Sequence, residues 1–390
     1  MTNSLDGIRI LDLSRILAAP TATQLLADLG AEVIKVERPG AGDDTRSWAP
    51  PHVTRTDGTE TDLSGYFLSA NRGKQSIAVD FTTPEGAEII RALVKHCDIV
   101  VENYKPGDLA RRGLDYDDLA ALRPGLIWCS VTGFGRHGAD ADRAGYDFIV
   151  QAMGGIMSLT GDPDGPPMKV GVGIADVMCG MYAATGILAA LHHRDRTGEG
   201  QRVDVALYDA QLAWLINGAT NMLVSGNAPR RLGNRHPNIA PYQTIATGDG
   251  VLALACGNDA QFAKLVAVLG APGLADDPRF ATNRARVEHV DALEDALLPL
   301  FARDTATAWE ARLTEAGVPA GPVRSVAEVL ADPDTVARGM LTTLPAEDGL
   351  PPIRLLGNPL QMSATPVRAP RRPPFLDEHR DDILRRFGPA

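Results

Sequence analysis

Residues 8–37, IRILDLSRILAAPTATQLLADLGAEVIKVE, decide how the amino-terminal part of this chain folds. The apolar run IRILDL predicts a strand, PTATQLLADLG predicts a helix ending at Gly30, and AEVIKVE predicts a second strand. A strand, a helix and a strand in this order form a β-α-β unit, whose two strands run parallel. The stretch therefore predicts the beginning of a parallel sheet.

The same alternation continues through residue 133. The predicted strands are SIAVD, DIVVEN and GLIWCSVTG, and the predicted helices are PEGAEIIRALVKH and DYDDLAAL. Alternation of this kind predicts a Rossmann-like α/β fold, with a parallel sheet covered by helices on both faces. Further along, VMCGMYAATGILAALHH predicts a buried helix and YDAQLAWLINGATNMLVSG a long one.

A chain of 390 residues is too long for one ordinary core, so we predict two domains. The composition changes at SGNAPRRLGNRHPNIAP, which is rich in Gly, Pro, Asn and Arg. We predict a large α/β domain over 1–205, a linker helix over 206–228 and a smaller α/β domain over 229–325. Residues 326–390 are predicted to be a linker and a carboxy-terminal segment that returns to the large domain.

Composition narrows the class of protein. With 44% hydrophobic residues and 38 basic against 49 acidic side chains, the chain is predicted to be globular, and its charge of −11 argues against nucleic-acid binding. Four cysteines without C-x-x-C spacing indicate neither a zinc site nor a disulfide framework. We therefore expect no metal, and a cytoplasmic location. We expect no membrane partner, because the first residues lack an apolar signal segment.

The first turn of the predicted sheet, SRILAAP, has no G-x-G-x-x-G for a dinucleotide pyrophosphate. Basic residues nevertheless collect around the predicted strand ends, in VERPGAGDDTR, NRGKQS and ENYKPGDLARRG. Any one of them alone is more often a solvated surface charge. Three clusters at neighbouring strands of an acidic chain predict a polyanionic ligand, because Arg and Lys side chains bind phosphate oxygens.

The segment GVGIADVMCG, residues 171–180, contains a single ionisable residue, Asp176. One interpretation is structural, since Asp is a preferred helix N-cap. The other is chemical: a carboxylate held ionised by a helix amino end, yet poorly solvated, is a competent nucleophile toward an acyl carbon. Position alone does not separate the two.

Over essentially its whole length the sequence resembles the class III CoA-transferases, which include formyl-CoA:oxalate and carnitine CoA-transferases. The matching stretches are LDLSRILAAPTATQLLADLGAEVIKVERPGAGDDTR, NRGKQSIAVD, VENYKPG, SVTGFG, GYDFIVQAMGG, MKVGVGIADVMCGMYAATGILAAL, RTGEGQRVDVAL and AGVPAGPV. Each is weak alone, but their number and order identify the family.

The resemblance implies a CoA-transferase with Asp176 as its nucleophile. Such an aspartate attacks an acyl-CoA to give a mixed anhydride, and the released thiolate then forms an aspartyl-CoA thioester. The resemblance also implies an interlocked homodimer that uses CoA thioesters as substrates and has no permanently bound cofactor. Residues expected near CoA are Arg38, Arg72, Lys74, Asn103, Lys105 and Arg111.

Two departures from the oxalate enzyme concern the acid pocket. Leu17 stands where that enzyme has a glutamine, and RRLGNRHPNIAPYQ replaces its Gly-rich lid. This segment is more similar to the branch that acts on dicarboxylates such as glutarate with succinyl-CoA. Arg235 and His236 are therefore expected either to meet a distal carboxylate or to pack the loop.

Two other functions remain open. An α-methylacyl-CoA racemase of the same fold would use a histidine, but the matching position is Tyr146, and tyrosine is in general a much poorer base than histidine at neutral pH. Tyr146 is therefore expected to line the substrate pocket. A CoA-binding scaffold without activity is the second alternative, and the presence of Asp176 in its motif argues against it.

Overall fold

The computed structural model describes residues 3–389. The chain forms two compact units, one of 1–155, 170–214 and 330–390, the other of 156–169 and 215–329. This grouping differs from the predicted domain limits at 156–169, at the predicted linker helix 206–228, which is divided after residue 214, and at 326–329. The predicted domain limits themselves stay a prediction.

The first unit is built on a six-stranded sheet in which every pair of neighbours is parallel. The strand order is β5-β2-β1-β6-β7-β8. The strands are β1 (Arg9–Asp12), β2 (Glu32–Glu37), β5 (Gln75–Ala78), β6 (Ile99–Glu102), β7 (Ile127–Thr132) and β8 (Arg202–Ala206). The predicted Rossmann-like α/β class is confirmed.

Helices cover both faces of this sheet, because strand residues alternate between two apolar clusters. Ile10 packs in one cluster with residues of helices α1 (Ala18–Asp28) and α6 (Ile174–Thr197). Leu11 packs in the other, with residues of α3 (Pro84–Val94), α4 (Tyr116–Ala120) and α15 (Arg380–Phe387).

The first unit contains further elements, of which only α7 (Leu207–Ala213) lies in a segment that the sequence patterns predicted to be helical. Two antiparallel pairs accompany the main sheet, β3 (His52–Thr54) with β4 (Glu60–Ser64) and β12 (Leu341–Leu344) with β13 (Ile353–Leu356). The remaining helices with five or more residues in this part of the chain are α2 (Gly65–Ala70), α5 (Asp147–Met153), α7 (Leu207–Ala213) and α14 (Pro333–Ala337).

Helices α1 and α6 touch through a glycine. A Cβ atom at Gly180 would lie 2.5 Å from the carbonyl oxygen of Ala18, so no larger residue fits without displacement of the backbone. Both helices begin at the carboxyl ends of the strands. Their contact therefore fixes the spacing between their first turns.

Helix α6 is longer than the predicted 17-residue segment. It has 24 residues, and by length and hydropathy alone it could cross a membrane. Such a helix is weak evidence for a membrane span, and 56% of its most apolar window is buried inside this fold.

The second unit contains a three-stranded antiparallel sheet in the order β11-β10-β9. The hairpin predicted around GDG is confirmed by β9 (Tyr242–Ala246) and β10 (Val251–Ala255), and β11 (Ala320–Pro322) pairs with β10. The helices from residue 216 to residue 331 are α8 (Ile216–Ser225), α9 (Asp259–Val268), α10 (Asn283–Glu288), α11 (Val290–Phe301), α12 (Ala306–Glu315) and α13 (Val326–Ala331).

The single long helix predicted over 208–226 is wrong. Helix α7 ends at Ala213 and α8 begins at Ile216, whose φ of +34° is incompatible with a continuous right-handed helix. The border between the two units falls at this break.

Candidate active site

The first turn of α6 holds Asp176, the third residue of the helix. Its residue is only 9% exposed, and its carboxylate accepts no hydrogen bond from any residue between 3 and 389. Burial, reinforced by the negative charge of Asp147, raises the pKa of Asp176 to about 7. In the free protein the effect of burial on this pKa therefore outweighs the stabilisation that the helix amino end gives to the ionised form.

Asp176 is not the helix cap. The N-cap of α6 is Gly173, and the cap hydrogen bond comes from Asp147, the first residue of α5. Asp147 Oδ1 accepts the amide of Ala175 at 2.8 Å, and its Oδ2 accepts from Gln151 Nε2 at 2.7 Å. The structural interpretation of Asp176 is thus wrong, and its carboxylate has no structural hydrogen bond to maintain.

Asp176 lines a cavity of about 310 Å³, within the range of small-molecule sites. The loops after β1 and β6 form two of its walls. Strand β1 lies between β2 and β6, so the chain changes direction across the sheet between β1 and β6, and ligands of such sheets bind at this switch point. The predicted residues that line the cavity are Leu17, Asn103, Lys105, Tyr146 and Asp176.

Three basic side chains line the same cavity. Lys105 is exposed, and its ammonium group makes no ion pair or hydrogen bond within the described part of the chain. Arg15 and Arg143 were not predicted. Arg15 is paired with Asp44 at 3.0 Å through Nη1, while its buried Nε has no hydrogen-bond partner in residues 3–389. The cavity can therefore accept an anion.

Tyr66, which the sequence patterns did not single out, lies within electrostatic reach of the carboxylates. Burial first, and then the charges of Asp176 and Asp147, raise the pKa of its phenol. The ring also packs edge-on against Trp48, with centroids 5.1 Å apart. Nothing in the sequence around GYFLSA marks this residue, because it approaches Asp176 only in the folded chain.

Comparison with known proteins decides the family. CoA-transferase family III matches residues 5–380. The chain belongs to this family.

The similarity extends over whole relatives. The chain is 50% identical to a succinate–glutarate CoA-transferase of Agrobacterium fabrum, over 97% of this chain and 94% of the relative. It is 40% identical to a human succinyl-CoA:glutarate CoA-transferase, over 98% of this chain and 85% of the relative. The predicted family and the predicted enzyme class, a CoA-transferase, are confirmed.

Solved structures of similar proteins support the same family. A CAIB/BAIF family protein from Brucella suis is 47% identical and superposes with a TM-score of 0.87, covering 99% of this chain and all of the other. The Mycobacterium tuberculosis protein Rv3272 is 30% identical with a TM-score of 0.85, covering 97% and 99%.

Not all of the residues that the family resemblance placed near CoA lie at the cavity. Arg38 and Arg111 do not line it; their exposed side chains pair with Asp44 and Asp108 respectively. Asn103 does line it, but its amide is occupied: Oδ1 accepts the Arg15 amide at 2.9 Å and Nδ2 donates to the Arg15 carbonyl at 2.8 Å. In this conformation Asn103 holds the loop.

Arg72 and Lys74 are bound by protein partners in this structure, and their contact with the CoA phosphates stays a prediction. Both are buried and lie just before β5. Arg72 binds Asp28 through Nε and Nη2. Lys74 Nζ donates to Asp12, Pro20 and Asn71 at 3.0–3.1 Å. These contacts use all three hydrogens of the Lys74 ammonium group, and neither residue lines the cavity.

Burial lowers the pKa of Lys74 to about 8, so it stays largely protonated at neutral pH beside Asp12. The pair stabilises the base of the loop after β1, since Asp12 Oδ1 also accepts the amide of Ser14 at 3.0 Å. Its role in this structure is to support the site.

Arg235 and His236 lie in the second unit. Arg235 is bound between Asp291 and Glu294, so two carboxylates already neutralise its charge. The ring of His236 lies 5.1 Å from that of Tyr242. These contacts fit the loop-packing alternative, and a role of either residue at a distal carboxylate stays a prediction.

Among residues 3–389, no group of three or more His, Cys, Asp or Glu side chains is arranged to hold a metal ion. The four cysteines are buried and unpaired.

Proposed function

We propose that this CoA-transferase moves CoA from succinyl-CoA to a dicarboxylic acid such as glutarate. The names of the Agrobacterium and human relatives support this choice of substrates. The observation that carries the mechanism is Asp176, a nearly buried carboxylate without a hydrogen-bond partner in the described chain, in the wall of a cavity beside cations.

The proposed reaction proceeds by four exchanges at acyl carbons. An Asp176 oxygen attacks the thioester carbon, the C–S bond breaks, and a mixed anhydride and CoA thiolate form. The thiolate attacks the aspartyl carbon, which releases the donor acid and leaves an aspartyl-CoA thioester. The acceptor carboxylate displaces the thiolate, and the thiolate then attacks the acceptor acyl carbon, which frees Asp176.

The first exchange requires Asp176 without its proton. Its raised pKa makes the carboxylate more basic than an ordinary aspartate, which favours attack once the proton has left. The same burial limits the access of water, which would hydrolyse the anhydride. We propose no role for a metal or for a permanently bound cofactor; CoA enters as part of the substrate.

We propose that the CoA phosphates are bound by Lys105, with Arg38 and Arg111 outside the cavity. Lys105 is supported by its free ammonium group at the cavity, and the two arginines by their exposure. Arg15 joins this set because its side chain lines the cavity. Leu17 and Tyr146 are proposed to form the acyl part of the pocket.

A direct test mixes the protein with succinyl-CoA and a panel of mono- and dicarboxylates, and follows new acyl-CoA species by mass spectrometry. Borohydride or hydroxylamine added during turnover with succinyl-CoA should modify Asp176 alone. An unaltered peptide mass with active protein would contradict the covalent mechanism. Deuterium exchange at C2 of a 2-methylacyl-CoA would instead reveal the racemase alternative.

We also propose a homodimer, as first predicted from the family. Support comes from α8, where Ile216, Leu223 and Val224 are 69%, 84% and 83% exposed, an apolar surface that a second subunit would cover. Light scattering of the purified protein tests the dimer. The cytoplasmic location also stays a proposal.

A further inference from the structure

The loop between β1 and α1 contains a strained residue. Ile16 has a φ of +73°, in the left-handed region, and it lines the Asp176 cavity. A β-branched residue avoids this region because its Cβ crowds the backbone. Such a conformation persists only where the surroundings impose it.

Asp43 imposes it. The amide of Ile16 donates to both carboxylate oxygens of Asp43, at 3.3 and 3.2 Å. The carboxylate in turn lies 2.8 Å from Lys35 Nζ, and neither side chain of this ion pair is exposed. Because a buried ion pair is costly to break, Asp43 cannot easily turn away from the loop.

The neighbouring backbone groups are held as well. Lys35 Nζ also donates to the carbonyl of Ser14 at 2.9 Å. Asn103 binds both the amide and the carbonyl of Arg15. Thus each of the three residues before Leu17 is bound by a side chain from another part of the sheet edge.

Leu17 is the point at which this loop reaches the nucleophile. A methyl group on Gly173 would lie 3.1 Å from Leu17 Cδ2 and 3.7 Å from Asp176 Oδ2. The Leu17 side chain therefore packs against the wall that carries Asp176. A change in the backbone of Ile16 moves Leu17, the next residue, relative to that wall.

We infer that Asp43, fixed by Lys35, is a positioning residue for the active site: it holds Ile16 in the left-handed conformation and so sets Leu17 beside Asp176. The inference deepens the proposed function, on which it rests for the identity of the ligand. A purely structural role is the alternative, since Asp43 also accepts from the amide and hydroxyl of Thr45, at 2.9 and 2.7 Å.

The test compares Asp43→Asn alone with two double variants, Asp43→Asn with Ile16→Gly and Asp43→Asn with Ile16→Ala. Ile16→Gly and Ile16→Ala both remove the apolar part of the isoleucine side chain, and the two variants differ there by a single methyl group. They differ in the backbone, because glycine adopts a φ of +73° without strain and alanine does not. The readouts are kcat and KM for succinyl-CoA, and the melting temperature.

We expect Asp43→Asn to lower kcat/KM by about tenfold. Ile16→Gly added to it should restore most of this loss, and Ile16→Ala should not. Equal kcat/KM for the two double variants would overturn the inference. So would an unchanged kcat/KM in Asp43→Asn with only a lower melting temperature, the result of a structural role.

Hydrogen exchange separates failure of this inference from failure of the proposed function. If the wild-type protein transfers no CoA, the proposed function is wrong, and the exchange of the amides of residues 15–17 still tests the contact. We expect faster exchange there in Asp43→Asn than in the wild type. Equal exchange would overturn the positioning role whatever the activity.

Discussion

The carboxyl groups of Asp147 and Asp176 both lie next to Gly173. A methyl group at that glycine would be 3.7 Å from Asp147 Cγ and equally far from Asp176 Oδ2. Asp147 is hydrogen-bonded to Ala175 and Gln151, whereas Asp176 accepts no hydrogen bond within residues 3–389. One carboxylate thus maintains the structure and leaves the other available for chemistry.

The activity should depend on the ionisation of Asp176. Because its pKa in the free protein is about 7, kcat/KM for succinyl-CoA should rise about tenfold per pH unit below that value and level off above it. A pH profile between 5 and 9 measures this. A profile that is already flat at pH 5 would show that Asp176 titrates normally.

Removal of the charge at residue 176 should stabilise the protein at high pH. A pKa raised from 3.8 to about 7 means that, between these pH values, folded wild-type protein holds a proton at Asp176 that the unfolded chain has released. Binding of this proton stabilises the folded wild type fully below pH 4, and the stabilisation is lost as the pH rises through 7. Asp176→Asn should therefore gain stability relative to wild type across that window, by ~4 kcal/mol at most. Urea unfolding at pH 5 and pH 8 tests this; an equal difference at both would contradict it.

Asp147→Asn should move the pH profile to lower pH. The variant keeps an oxygen to accept the Ala175 amide but removes the negative charge that helps to raise the pKa of Asp176. The half-maximal pH of kcat/KM should fall below the wild-type value. Asp147→Ala is the matched control for the lost cap, and should also destabilise the protein by about 1 kcal/mol.

Gly173→Ala should impair activity more than stability. The φ of Gly173 is −70°, which alanine adopts easily, but the added methyl group would crowd Leu17 at 3.1 Å, beside Asp176. Gly171→Ala is the matched control, since nothing lies within 4 Å of a Cβ there. Equal kcat/KM in the two variants would show that the space beside Asp176 is not used.

Lys105 and Arg72 should respond differently to substitution. Lys105→Gln removes a free charge at the cavity and should weaken CoA binding a few-fold, less so at high salt, without a change in melting temperature. Arg72→Gln leaves Asp28 buried without its main partner, and should destabilise the protein by ~3 kcal/mol. Calorimetry with CoA and thermal unfolding distinguish the two. Lys95→Gln, at an exposed lysine outside the cavity, is the control for Lys105.

The sheet and the position of Asp176 could be predicted because they depend on local patterns. Apolar runs separated by amphipathic helices predicted the parallel sheet, whereas its strand order and switch point were seen only in the structure. Partners distant in sequence could not be predicted. Arg72 was expected to bind phosphate because nothing in NRGKQS reveals Asp28, 44 residues away. The partner of Lys74 could not be predicted for the same reason, since Asp12 is 62 residues away.

Two other differences between the predicted and the observed structure also come from features that the local sequence does not show. The cap that Asp147 supplies to α6 depends on how closely α5 approaches it, and sequence spacing does not record that distance. The break before Ile216 lacks the Gly or Pro that usually marks one, so the apolar periodicity of residues 208–226 continued across it.

The contact at Gly180 bears on how such an enzyme could acquire new substrates. Leu17 precedes α1 and Asp176 opens α6, and the two helices touch through that glycine. The reacting end of the pocket therefore has a fixed width, because it could accommodate a bulkier acid only if α1 and α6 moved apart. Substitutions that change the acid preference of such an enzyme should therefore accumulate in the surrounding loops, while the contact between α1 and α6 stays unchanged.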